Sequence, residues 1–390
     1  MVSSVTRLRI LGAVFAHKSN PLCRMCHIPH FFPVTQSRSV SAMSNTMHCQ
    51  HYTASFLTPT FLGNASQNAQ WRTPPFKALL RQWWRVAWAA EHGTDFQRMR
   101  HEEGLLFGHA WLETDSTAAR KSLVRLRLSS WEAGKQNTWQ PLNHVKHPEV
   151  PSPVDAGLYL GYGPLIYDKS KKGPVFKSNA AIQAGESAKL SIAYPESEAR
   201  LIETALNLMH HFGTLGGRSR NGWGSLHMEH ENGETIAAPS EKVFKNWRDA
   251  LQCDWPHAIG KDEKGALIWR TRAFDDWRGI MQELARIKIA LRTHFAFHSG
   301  NNAPAPEQRH WLGYPVTNHS VKPWGNNARL PNSLRFKVCR DSNGKPVGKI
   351  FHIPCLPPPA FSPNQGALES VWRAAHQFLD SDKTLARAKN

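Results

Sequence analysis

Two segments of the chain combine residue types that suit phosphates and flat bases. The first is Gly216, Gly217, Arg218, Ser219, Arg220, Asn221, Gly222, Trp223, Gly224. Its glycines permit positive φ and close main-chain approach to a ligand. N–H groups in such a turn can form an anion-binding concavity. Arg218 and Arg220 add two guanidinium forks matched to phosphate. Trp223 offers either a stacking face or a core anchor. The G-K-[ST] ending of a nucleotide loop is absent, and the segment follows a helix instead of opening one. An NTPase or a dinucleotide oxidoreductase is therefore set aside. The second segment is Lys77, Arg81 and Arg85, spaced i, i+4 and i+8 so that they form one stripe on a helix. The first acidic residue of the chain is Glu91, so no earlier acid neutralises them. A bound anion explains such a stripe as readily as a solvated face does.

Other chemistry is less well framed. Catalysis by a histidine base would draw on His210 and His211, or on His294 and His298. Asp95, Asp115 and Asp155 stand in no D-x-D or D-x-x-E frame. Cys23, Cys26 and His27 match the c-type haem attachment pattern, and with His30 they could be drawn as a crowded zinc set. Nothing downstream looks like a cytochrome, and no metal or cofactor is expected.

The elements that must position these residues follow from periodicity. Residues 51–62 read as a strand, ended by Pro59 and Gly63. Pro74 and Pro75 open the helix that carries the basic stripe. Phe76, Leu79, Leu80, Trp83 and Ala87 lie away from the stripe, as core positions. Residues 123–129 alternate, with Val124, Leu126 and Leu128 inward and Arg125 and Arg127 outward. A short apolar run with glycine punctuation, 157–163, comes next. The segment 196–213 is a helix with Glu196 and Glu198 at its N-terminus and Gly213 placed to cap it. The glycine-rich loop and a strand, LHMEHE, follow. Strand–helix–strand–strand–helix–strand is the order of a ferredoxin-like, or RRM-like, unit. A second cycle has a helix over 274–296, then a strand 334–338 with Arg335 and Lys337 outward. A partner strand GKIFHIP follows across a turn, and a last helix begins at ALESVW. The fold class is α+β, as tandem ferredoxin-like domains: 47–230 with the glycine-rich loop, and 231–390.

Composition agrees with a polyanion partner. The 390 residues carry a net charge of +18, with 41% hydrophobic and 20% charged residues. Such a chain folds, and its excess of Lys and Arg points to nucleic acid. Half of the net charge is accounted for by nine basic residues before Glu91. No run of 18 apolar residues occurs, so no membrane-spanning helix is expected. Six cysteines are too few for a disulfide scaffold. Residues 1–46 hold Arg, Ser and His but no acid. They read as a disordered extension, or as lying ahead of a true start at Met43 or Met47.

The motif GGRSRNGWGSL closely resembles the G-rich loop of the RAMP superfamily of CRISPR proteins, G-G-R-S-R-x-G-[FW]-G-S. The upstream stretch TPTFLG…WRTPPFKALLRQWWR resembles the N-terminal signature of the Cmr RAMP subunit of type III-B complexes. EEGLLFG and ARLPNSLRFKV are similar to further segments of that family. Ala78, Pro75 and the pair Asn332-Ser333 depart from its pattern. The resemblance runs from about residue 53 to about 355. It implies a cytoplasmic, non-catalytic subunit that holds the 3′ part of a guide RNA and the incoming single-stranded target RNA beside other RAMP subunits, with no membrane partner. It also implies phosphate contacts at Lys77, Arg81, Arg85, Arg218 and Arg220, with the loop glycines letting RNA approach the main chain. The competing expectations are a metal-independent RAMP endoribonuclease with a His general base, and basic duplex-DNA binding. RRM-like sheets argue against the last, because they favour single strands.

Overall fold

Side-chain alternation builds the first strand. In β1, Met47–Phe56, Tyr52, Ala54 and Phe56 are buried while His51 faces solvent. The structure, a computed structural model, describes residues 46–110, 119–177, 180–325 and 327–388. The expected extension 1–46, with Cys23, Cys26, His27 and His30, therefore lies outside the described residues except for Thr46.

After β1 comes α1, Thr73–His92, with proline in its first turn and Phe76, Leu80, Trp83, Trp84, Ala87 and Trp88 buried. Helix α2, Phe96–Phe107, is N-capped by Asp95, whose carboxylate accepts from the Arg98 N–H at 3.0 Å. Strand β2, Arg125–Leu128, and a short helix α3, Ala156–Gly161, precede β3, Ser187–Pro195. Helix α4, Ala199–Phe212, and strand β4, Leu226–His230, complete the unit. The strands lie in the order β2-β3-β1-β4, and every pairing is antiparallel. With α1 and α4 against each other over the buried face, this is the ferredoxin-like arrangement.

One strand differs from expectation. The run 157–163 is not the third strand: Asp155 accepts from the Leu158 N–H at 2.6 Å and caps α3 there. The third strand is Ser187–Pro195, where Ala188, Leu190, Ile192 and Tyr194 alternate inward. Its small and polar residues mute the apolar pattern, whereas 157–163 holds more apolar residues and owes its helix to a cap.

The second half repeats the plan. Strand β5, Ile268–Ala273, leads to α5, Trp277–His294. The hairpin β6, Leu334–Arg340, and β7, Pro346–His352, is followed by α6, Gln365–Ser381, and β8, Leu385–Arg387. The order is β6-β7-β5-β8, again antiparallel throughout. Short two- and three-stranded sheets fill the connections.

Arg335 and Lys337 do not face solvent as expected; they are 9% and 1% exposed. That face of the second sheet packs against the C-terminal end of α4. The Lys337 ammonium donates to the carbonyls of His210 (2.5 Å), Gly213 (2.9 Å) and Leu226 (2.6 Å). Lys349 donates to the His211 carbonyl at 2.9 Å. The last carbonyls of a helix lack intrahelical partners and sit at the negative end of its dipole, so buried ammonium groups fit there.

Candidate nucleic-acid interface

The glycine-rich loop joins α4 to β4 and is fastened on three sides by main-chain geometry. Gly217 N–H donates to the Phe61 carbonyl at 2.8 Å, and Gly224 N–H to that of Pro59 at 3.0 Å. The Thr58 hydroxyl donates to the Gly222 carbonyl at 2.7 Å. On the other side, Phe336 N–H on β6 donates to the Arg220 carbonyl at 3.0 Å. The loop thus bridges the segment after β1 and the edge strand of the second sheet. The glycines allow this closeness. A Cβ at Gly224, φ +63°, would stand 1.9 Å from the Leu215 carbonyl oxygen, and one at Gly216, φ +89°, would stand 2.7 Å from that of Phe61. At these two positions the missing side chain makes room for neighbouring main chain.

Trp223 is fully buried. It packs edge-on against Phe61 and Trp139, with centroids 5.4 and 5.5 Å away, and against Trp277 of α5 at 6.1 Å. It anchors the loop and offers no stacking face. Asn221 is likewise structural: its amide donates to the Leu160 carbonyl at 2.7 Å and its oxygen accepts from Lys288 at 2.6 Å. Ser219 is half-buried, and its carbonyl accepts the Gly222 N–H at 3.2 Å.

The two loop arginines remain available. Arg218 is exposed, with φ +56°, and its Nε donates to the Tyr162 carbonyl. A non-glycine residue in this region is mildly strained, as positions at binding sites often are. Arg220 lies beside Arg335, whose Nε is buried without a partner among the described residues. Burial, with the charge of Arg220 next, pushes the Arg335 guanidinium down to about 9. On the other flank, burial and the charges of Arg292 and Arg218 bring the Lys288 ammonium down to about 7. Burial also lowers Arg292. Among the described residues no carboxylate forms an ion pair with Arg218, Arg220, Lys288, Arg292 or Arg335. Lys288, Arg292 and Arg335 were not singled out from sequence. Each sits in an amphipathic element, where a lone cation reads as a solvated position. Tyr162, 62% exposed, stands beside Arg218 and supplies the open aromatic face that Trp223 does not.

The basic stripe has a different role. Arg85 grips Glu103 with two hydrogen bonds of 2.7 and 2.9 Å, and Arg81 reaches the same carboxylate at 3.1 Å. Lys77 donates to the Phe107 carbonyl at 3.0 Å, at the end of α2. Burial alone would raise the Glu103 carboxyl, but the bonds from Arg85 and Arg81 hold it below its usual range. The stripe is therefore not unpaired: its acid comes from the next helix and locks α2 onto α1.

The outward face of the first sheet carries His51, Thr53, Ser55, Arg125, Arg127, Lys189 and Ser191, and no Tyr, Phe or Trp. An RRM-type stacking platform is not built there. His210 and His211 are half-buried, and burial, followed by the nearby lysines, brings them down to about 2 and about 4. His298 contacts Glu307, and Asp95 and Asp155 are helix caps. Asp115 lies outside the described residues. Among the described residues no group of three or more His, Cys, Asp or Glu is placed to hold a metal, and no helix is long and apolar enough to cross a membrane.

Comparison with known proteins bears on this arrangement. A search of curated protein sequences returns no match. Among solved structures, Cmr1 from Pyrococcus furiosus (apo form) is similar with a TM-score of 0.42 and 15% identity, over 87% of this chain and 98% of that one. A chain of the type III-B Cmr-beta complex bound to cognate target RNA is similar with a TM-score of 0.43 and 11% identity, over 84% of this chain and 99% of that one. The model of the RAMP superfamily matches residues 53–227, which span the first ferredoxin-like unit from β1 through the glycine-rich loop into β4. Over that segment, a little under half of its length, the chain is similar to the RAMP superfamily.

Proposed function

We propose that the protein is a non-catalytic, RNA-binding subunit of a type III-B CRISPR ribonucleoprotein, holding the 3′ part of the guide RNA and the target RNA that pairs with it. One observation carries the reading: Arg218, Arg220, Lys288, Arg292 and Arg335 gather around the glycine-rich loop and, among the described residues, no carboxylate forms an ion pair with any of them. A protein keeps such a cluster at a cost in self-repulsion that a polyphosphate relieves. The RAMP match and the sequence resemblance to the Cmr signature support RNA among polyanions, and other RAMP subunits, as partners.

The test is the affinity for guide and target RNA measured across salt concentrations. Wild type shows a steep salt dependence. An Arg218→Ala/Arg220→Ala variant binds more weakly, with a slope shallower by about 1.4, since each phosphate neutralised on a single strand contributes about 0.7. Equal affinity and slope in the two proteins would overturn the role of the loop. His210 gives a nuclease little support. Nδ1 of His210 accepts the Met228 N–H at 3.2 Å, which leaves no free lone pair for a base. Incubating the protein with labelled RNA in EDTA leaves the RNA intact on this reading; cleavage abolished by a single His substitution would reverse it.

A further inference from the structure

A second concentration of positive charge lies away from the glycine-rich loop tip, where α4 and β4 meet the helix-free face of the second sheet. A cavity of about 150 Å³ opens there, lined among others by His210, His211, Arg270, Lys337, Arg340 and Lys349. That volume is about five times the share of one water in the liquid. Among the described residues no Asp or Glu lines it. Glu229, on β4, is turned to His227 at 3.1 Å.

The charges are set in direct register. Lys337 on β6 is paired with Lys349 on β7, and Lys349 is paired with Arg270 on β5. Like charges directly opposite one another on neighbouring strands destabilise a sheet. Here three strands in succession present them on one face. Lys337 is accounted for, because its three hydrogens go to the carbonyls that close α4 and begin β4. Lys349, 5% exposed, lies over the Phe212 ring at 4.9 Å and has, among the described residues, one hydrogen-bond acceptor, the His211 carbonyl. Arg270 is exposed at the mouth with no acceptor among the described residues, and Arg340, also exposed, donates only to the Gly344 carbonyl at 2.8 Å. The Met228 N–H bonded to Nδ1 of His210 puts the proton of that imidazole on Nε2, which makes it a neutral donor.

We propose that this cavity binds an oxyanion of the phosphate class, either a free phosphate or a phosphodiester, through Lys349 and Arg270, with Arg340 at the mouth and the His210 Nε2–H as a neutral donor. An anion there would relieve the repulsion along the row and use the spare hydrogens of Lys349 and Arg270. Burial, with Arg270 nearby, lowers the Lys349 ammonium, as expected of a buried cation short of partners. The site requires no RNA, so it stands or falls apart from the function proposed above.

The test is a titration of the full chain, labelled in its histidine rings, with inorganic phosphate at constant ionic strength against chloride. Saturable shifts of the His210 and His211 resonances are expected. Arg270→Ala, a change at an exposed position, weakens binding about ten- to a hundredfold, the loss of one charge-assisted hydrogen bond; Lys349→Met abolishes it. A diribonucleotide that displaces phosphate from the same resonances identifies the source as a phosphodiester, and one that does not identifies a free or terminal phosphate. No saturable shift in wild type, or an undiminished one in folded Arg270→Ala, overturns the site. Guide-RNA binding without phosphate shifts sinks this site alone, and phosphate shifts without guide-RNA binding sink only the RNA reading.

Discussion

Tyr162 and Trp223 divide the work that a base-stacking loop would ask of one residue. Trp223 is enclosed by three aromatic rings, while Tyr162 is open beside Arg218. Trp223→Ala is expected to cost about 3–5 kcal/mol of stability by chemical denaturation, the range for losing a buried aromatic. Tyr162→Ala should leave stability within about 0.5 kcal/mol, as at most exposed sites. It should weaken single-stranded RNA binding by about 1–3 kcal/mol, the worth of one base–aromatic stack. A Tyr162→Ala variant with wild-type affinity would remove the stacking role. Lys288 adds a pH dependence. Its folded value, about 7, lies below the unfolded 10.5, so the folded protein without RNA has released this proton between those limits. A phosphate beside Lys288 would restore the charge, and binding then takes up a proton. RNA affinity should therefore fall as pH rises through about 7 toward 9, by at most about tenfold per unit. Lys288→Arg, charged throughout, should flatten that profile.

At the scale of elements, the ends of α4 and α2 are closed by side chains from elsewhere. Lys337 reaches two carbonyls at the end of α4 and one at the start of β4, and Lys77 reaches that of Phe107 at the end of α2. Lys337→Met keeps the length of the stem and removes the donors, so a loss of about 3 kcal/mol is expected in equilibrium unfolding. A loss below about 0.5 kcal/mol would show the ammonium to be dispensable. The pairing of Arg81 and Arg85 with Glu103 has a signed pH signature. The folded carboxyl lies below its unfolded value of 4.5, so its contribution is present above that value and lost as pH falls through the lower folded one. These contacts were not legible in the sequence. The periodicity of α1 shows that three cations share a stripe, but Glu103 enters only when α2 folds back on α1. Likewise, Arg335 and Lys337 alternate with apolar residues, and alternation alone cannot tell solvent from a second packed surface.

At the scale of the whole molecule, two ferredoxin-like sheets share their cores. One cluster joins Phe56, Trp83 and Ile202 of the first half to Ile268 and Phe351 of the second. The other joins Leu160 and Trp223 to Met281 and Phe336. Residues 47–230 and 231–390, read as two domains from sequence, should therefore unfold together. Far-UV circular dichroism and tryptophan fluorescence are expected to report one coincident denaturant transition; two separated transitions would show that each unit is stable without the other.

The sequence by itself determined β1, α1, β2, α4 and β4 in the first half and α5, β6, β7 and α6 in the second, because proline starts, capping residues and apolar periods of 2 and 3.6 are local properties; α2, β5 and β8 it did not mark. It also holds the loop motif that resembles that of the RAMP superfamily. The third strand escaped it, because Ser187–Pro195 carries a muted pattern. Only the tertiary structure decided which charges are free. Of the five cations first singled out, Arg81 and Arg85 meet Glu103, Lys77 meets a helix end, and Arg218 and Arg220 have no carboxylate partner among the described residues. Lys288, Arg292 and Arg335 join them from distant positions. The reason is the range of the interaction: a charge is neutralised by what lies within a few ångströms in space, and residues 18 or more apart in the chain come that close only when helices and sheets pack.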